Sequence, residues 1–435
     1  MKRPMPLRTL AAGILLLLAS GAVFAQEFTF DAAEFEKKPF EFSGYIELKQ
    51  QHMRLNQDST LYKLGYYNQP RDSIDQTTLT LKPEGKLRSG ALTLNARAHL
   101  EGDWATQQFD REFRFDEFFG SYKPDPGLTL DAGKIALKWG KGYAWTTVGF
   151  VERQKDPNDP DLARQGFTML TADWIRNFDG ALRTVAFTPV LLPVSADVNH
   201  DFGSTGHLNA AAKLYLLYND TDIDIMFLSN GSRSRRLGVD FSRNLGSNLE
   251  IHGEWARIDD TQRQVVNAAG AVTTLRQNAS SSYLLGTRYL TDQDMTWIIE
   301  YYRNGPGFTE SEMQNFYGYI DTSYAQFVAT GSETPLQRAA SLSRSGVARP
   351  NPGRDYLYLR VSQKEPFDIL YFTPAITLIA NANDRSYSVA PEVLYTGFHN
   401  VELRARAFFL GGGRYTEFGE RVNSSRLELQ ARLYF

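Results

Sequence analysis

The last ten residues constrain the fold most. From Arg426 to Phe435 the chain reads Arg-Leu-Glu-Leu-Gln-Ala-Arg-Leu-Tyr-Phe, apolar at every odd position and polar at Arg426, Glu428, Gln430 and Arg432. In a strand, successive side chains point to opposite faces, so this segment has one face for an apolar medium and one for water. A helix would scatter the same residues over several faces. The two-residue period recurs over 92–100, 249–255, 357–361 and 401–409.

The other end of the chain says which apolar medium is meant. Lys2, Arg3 and Arg8 flank a short apolar run over 10–19, and Val23-Phe24-Ala25 precedes Gln26. That is the layout of a cleavable export signal. No later stretch approaches the ~20 consecutive apolar residues of a membrane-crossing helix. An exported chain with alternating strands reads as an all-β protein, a transmembrane antiparallel β-barrel, in which only every second strand residue meets lipid. The expected organisation is a signal peptide over 1–25, a short periplasmic extension over 26–40 and an outer-membrane barrel over 41–435. The terminal aromatic Phe435 would be the element that the barrel assembly machinery reads.

Turn-forming clusters punctuate the pattern. Short ones stand at 88–90, 124–127, 178–180, 219–221, 245–248, 291–294, 364–366 and 397–400, and long loops at 139–167, 190–207, 259–280, 304–353 and 412–424. Tight turns at one rim and long loops at the other are expected to be periplasmic and extracellular, respectively. Strands laid between the breaks number about eighteen. Sixteen is the alternative, because 181–190 and 222–230 are weakly patterned. Over 113–119 aromatics fall on both faces, and Gly133 interrupts the next strand; a β-bulge is expected at each.

With the apolar face outward, the other face lines a lumen. Arg97, Arg288, Arg360, Arg404, Arg406, Arg426 and Arg432 fall there, with Glu402 and Glu428 among the acids. The guanidinium fork suits carboxylates, so these residues are candidates for guiding anionic solutes; the alternative is that Arg and Glu pair across neighbouring strands. On the last two strands alone the count leaves two positive charges in excess. The loop after residue 138 is the candidate constriction. Gly140 and Gly142 allow a sharp inward turn, and Trp139, Tyr143 and Trp145 offer flat surface beside Lys141. For Trp139 the alternative is the aromatic girdle of the membrane interface. The aromatic-rich loop 304–353 is expected to fold over or into the lumen.

Other chemistries find little support. A formal charge of −3 gives no basis for nucleic-acid binding. Without cysteine there are no disulfides and no thiol nucleophile. No nucleotide-binding glycine loop or zinc-type histidine pair is present, so no enzyme, cofactor or metal is expected. Asp156, Asn158, Asp159 and Asp161 offer oxygen ligands for Ca²⁺, yet two prolines shape them as a plain turn.

The block Asp116-Glu117-Phe118-Phe119-Gly120-Ser121-Tyr122, the run Gly-Leu-Thr-Leu-Asp-Ala-Gly-Lys over 127–134, and Trp139-Gly140-Lys141-Gly142 resemble outer-membrane porins of the alginate-export-like superfamily. The resemblance implies a solute channel, some relatives passing an acidic polysaccharide outward through an arginine-lined lumen. The expected function is a porin for small polar or anionic solutes. Export of an acidic polysaccharide and a structural or adhesive barrel with a closed lumen are the alternatives.

Overall fold

The computed structural model describes residues 38–105, 108–160 and 165–435. The expected signal peptide and most of the extension lie outside them. Eighteen strands follow one another: β1 Phe40–Leu55, β2 Ser73–Ser89, β3 Leu92–Ala105, β4 Gln108–Asp125, β5 Leu128–Ile135 and β6 Phe167–Asn177. Then come β7 Leu182–Val194, β8 His207–Tyr218, β9 Thr221–Leu228, β10 Arg236–Asn244, β11 Leu249–Val266 and β12 Val272–Leu290. The last six are β13 Met295–Arg303, β14 Asp355–Gln363, β15 Phe372–Asn381, β16 Tyr387–Phe398, β17 Val401–Gly411 and β18 Asn423–Tyr434. Each pairs antiparallel with its sequence neighbours, and β18 closes on β1 with Glu47 opposite Arg432 and Leu48 opposite Ala431. The sheet therefore has no free edge, which is the condition for strands to sit in hydrocarbon. The fold is the expected closed antiparallel barrel of eighteen strands.

The alternation of the sequence becomes inside and outside. On β18, Leu427, Leu429 and Leu433 are exposed on the outer wall, while Glu428 and Gln430 are buried within. On β4 the pattern survives a fault in register. Arg97 faces Glu117 and Ala98 faces Phe115, leaving Asp116 as an extra residue. The bulge keeps Phe113, Phe115 and Phe118 outside at 63%, 39% and 47% exposure and turns Asp116 inward at 0%. There Asp116 meets Lys82 (3.3 Å) and Arg114 (2.9 Å). The bulge expected at Gly133 is absent, and Phe119 faces Gly133 in regular register. That glycine is there because its φ is +133° and a Cβ would stand 2.3 Å from the Phe118 carbonyl oxygen.

Short turns fill one rim. Asn219 and Asp220 both take positive φ (46° and 58°), the geometry of a two-residue hairpin. The opposite rim carries the long segments, two of which are more ordered than loops. Residues 259–280 are mostly an extension of the β11–β12 hairpin, closed by Asn267 accepting from the amides of Ala269 and Ala271. This part of the hairpin lacks the alternating apolar positions of the barrel wall, so its sequence reads as a loop. Residues 304–353 hold helices, as does the segment between β1 and β2: α1 Thr60–Tyr66, α2 Glu310–Thr330 and α3 Thr334–Leu342. Helix α2 opens on a capping box, Thr309 with Glu312, and stops at Gly331 with φ +72°. Phe308, Phe316, Tyr317 and Ile320 are buried in a small core with Leu342, Val347 and Val266 of β11. Lys63 of α1 and Arg414 of the last loop both reach Asp321. The β11–β12 and β1–β2 connections lie on nearly opposite sides of the strand order, so this helical group bridges the mouth as a lid.

Candidate solute path

The described residues of the segment 136–166, which are 136–160 and 165–166, leave β5 and fold into the lumen. Gly140 makes the turn with φ +94°, and its position is confined, since a Cβ would come within 2.6 Å of Glu254 Oε1. Two acids from the facing wall receive the backbone that follows. Glu254 accepts from the amides of Lys141 (2.7 Å), Gly142 (2.7 Å) and Thr147 (2.5 Å) and from the Thr146 and Thr147 hydroxyls. Glu300 accepts from the amides of Tyr143 and Ala144 (2.8 Å to the latter). Carboxylates that gather several amides in this way make charge-assisted hydrogen bonds, and each amide would otherwise be buried without a partner.

Apolar packing holds the rest of the segment. Trp139, Val148, Phe150 and Val151 lie against Phe167 and Met169 of β6, Val190, Leu192 and Val194 of β7, and Met226 and Leu228 of β9. Trp145 stacks on Tyr302 at 5.1 Å between centroids. Trp139 and Trp145 are each 2% exposed. Trp139 is therefore an anchor inside the barrel and no part of an outer girdle, and Trp145 offers no open face. Tyr143 remains half-buried. Lys141 is drawn to Asp224 of β9 at 2.8 Å.

The arginines of the closing strands are brought together and matched with acids. Arg406 meets Glu428 at 2.7 Å and Glu392 at 3.4 Å, and donates to the Asn158 carbonyl at 2.8 Å. Arg404 lies near Glu402 (3.3 Å) and Asp159 (3.7 Å), Arg432 bonds Glu47 (2.7 Å), and Arg360 bonds Glu392 (2.8 Å). The excess of two positive charges read from β17 and β18 is thus offset by Glu47, Glu392 and Asp159, which come from β1, β16 and the inserted segment. Arg426 stacks on the Phe408 ring at 3.9 Å. Arg97 stands apart with Glu117 at 2.9 Å, and Arg288 lies on β12, facing Glu250 in register.

The oxygens weighed for Ca²⁺ are engaged: Asp156 accepts from the Asn158 amide (2.9 Å) and Asp159 faces Arg404 and Arg406. Asp161 lies outside the described residues. Among the described residues, His99, Glu101 and Glu112 come close enough to hold a cation, but Arg114 already sits 2.5 Å from Glu112. Glu254 and Glu300 fall on the inner face of alternating strands, but nothing local to either residue says that it anchors the inserted segment.

Cavities lie on both sides of the segment. One, of about 430 Å³ towards the lid, is lined by Lys155, Asn158, Arg421 and Arg426. The other, of about 350 Å³ towards the short turns, is lined by Lys138, Lys141, Tyr143, Lys155, Glu250 and Arg288. Lys155 borders both.

The chain matches no known family profile and no curated protein. Among solved structures it is similar to engineered porins of Rhodopseudomonas blastica. A triple mutant is 10% identical with a TM-score of 0.41, and a double mutant 11% identical with a TM-score of 0.41. Both likenesses cover 91% of this chain and 100% of the porin. At that distance the fold rests on the strands described above, and the alginate-export-like resemblance gains no support from these relatives.

Proposed function

We propose that the chain is a channel of the bacterial outer membrane, through which small polar and anionic solutes pass. One observation carries the reading: a closed eighteen-strand barrel, apolar outside, whose polar interior is narrowed by an inserted segment with a cavity on each side. The outer wall fits lipid, and the export signal over 1–25 fits delivery across the inner membrane. Assembly through the terminal strand fits Phe435, whose backbone is bound to Gly44 of β1 (3.0 and 3.1 Å). Transport needs no covalent step: solute enters under the lid, passes the inserted segment and leaves among the short turns.

The test is reconstitution of heat-modifiable protein into planar bilayers under a potassium chloride gradient. Discrete conductance steps are expected. A bilayer that stays sealed at saturating protein would overturn the channel and favour a closed-lumen barrel. Passage of long acidic polysaccharide in liposomes would favour the exporter instead.

A further inference from the structure

The cavity on the short-turn side of the inserted segment is lined by two cations that have no acid within ion-pair range among the described residues. Glu250 is the carboxylate on its wall, and it is already engaged by Ser242 (3.1 Å) and His252 (3.6 Å), the latter also bonded to Glu300 at 2.9 Å. Lys141 is held by Asp224 at 2.8 Å. Lys155 donates to the carbonyls of Gly142 and Tyr143. Lys138 and Arg288 are exposed, and neither has a carboxylate within 4 Å among the described residues, although Glu250 faces Arg288 across the β11–β12 pair. They approach the cavity from different elements, one from the inserted segment and one from β12, with the half-buried Tyr143 beside them.

We propose that this cavity is a binding subsite for a small carboxylate, gripped by Arg288 and Lys138, and that the solute reaches it past Lys155 from the lid-side cavity. A guanidinium offers a planar two-donor fork to a carboxylate and an ammonium adds a point charge, each strengthened where water is limited. The Tyr143 ring gives an organic acid a face that chloride cannot use. Lys155 is shared by the two cavities. With Arg426 and Arg421 above it and Arg288 and Lys138 below, it makes a basic route around the inserted segment.

The inference rests on the channel reading, and two readouts keep the failures apart. Calorimetric titration of the purified barrel with benzoate reads the subsite, and bilayer current reads the channel. Benzoate is expected to bind at least tenfold more tightly than benzyl alcohol. The Lys138→Gln/Arg288→Gln double variant should lose at least tenfold in benzoate affinity, whereas Lys86→Gln, in a separate cavity, should lose none. Equal affinity for the two probes, or for wild type and the double variant, overturns the subsite. Bound benzoate should also slow acetylation of Lys138 in the wild-type barrel, a readout that needs no variant to fold; unchanged acetylation overturns it too. Benzoate binding without any current overturns the channel and leaves the subsite standing.

Discussion

Two sectors of one barrel wall solve different problems. From β16 through β18 to β4 the inner face is charged, with Arg406 and Glu428, Arg432 and Glu47, and Lys82 and Asp116 in matched pairs. From β6 to β9 the half of the inner face nearer the long loops carries an apolar patch of Met169, Val190, Leu192, Val194, Met226 and Leu228, while Thr171, Thr188 and Asp224 lie nearer the short turns. The inserted segment accounts for the contrast. Where it covers the wall, the wall behaves as a protein core and gains from close packing. Where it does not, the wall stays polar. The barrel therefore has one half built as scaffold and leaves the other for the proposed path.

The largest expected effect comes from placing a charge in the packed sector. Leu192→Asp would bury an unpaired carboxylate against Phe202 and the inserted segment, at a cost of several kcal/mol (about 3 or more). Heat-modifiable barrel should be lost. Lys49→Asp, on the lumen face of the charged sector, should still yield folded barrel, changing stability by about 0.5 kcal/mol or less. Equal yields of the two variants would erase the distinction between sectors.

Gly238→Val is the gentler version of the first test. A Cβ there would stand 2.7 Å from Val148 and 2.9 Å from Phe150, so overpacking should cost about 1–3 kcal/mol. The unfolding temperature should fall, with the barrel still assembled; an unchanged melting curve would mean the segment is not packed as described.

In the charged sector the readout is selectivity. Arg406→Gln leaves Glu428, Glu392 and Asp159 without their shared cation. The reversal potential in a salt gradient should move towards cations by a few-fold in permeability ratio, about 1 kcal/mol in a confined pore. No movement would place the ion path elsewhere.

The smallest effect belongs to the lid. Burial alone would raise the Asp321 carboxyl, but hydrogen bonds from Lys63, Tyr415 and Arg414 hold it below the usual range. A depressed carboxylate contributes stability above its unfolded value, near pH 4, and that contribution is lost as pH falls through the lower folded value. Protease cutting within 304–353 should therefore rise only below about pH 4, and Asp321→Asn should raise it modestly at neutral pH, by about 1 kcal/mol or less in lid closure. A rise beginning near pH 6 would point to histidine and away from Asp321.

The contrast between sectors also decided what was legible in the sequence. Strands whose inner face meets water alternate cleanly, so β17 and β18 were read to within a residue or two. The stretches 181–190 and 222–230 read weakly because part of the inner face of each is apolar (Ala186 and Val190, Met226 and Leu228), covered by the distant inserted segment. Helix α2 announces itself with Thr309 and Glu312, yet its aromatic content reads equally as a collapsed loop. The upper β11–β12 hairpin lacks the alternation of the barrel wall and reads as a loop. The arginines were legible singly, but their partners Glu47 and Glu392 come from strands whose adjacency exists only after closure and pairing. Asp159 belongs to a segment whose inward turn Gly140 and Gly142 signal, but whose meeting with Arg404 and Arg406 no local pattern specifies.

The central claim is that the segment 136–166, moored by Glu254 and Glu300, occupies part of an otherwise wider lumen. Single-channel conductance of wild type and the Glu254→Ala/Glu300→Ala variant tests it directly. Releasing the mooring strands several buried amides at roughly 1–3 kcal/mol each, enough to free the segment. The account predicts conductance several times that of wild type, with larger open-state noise, in a barrel that remains heat-modifiable. Identical conductance in a variant that folds would contradict it.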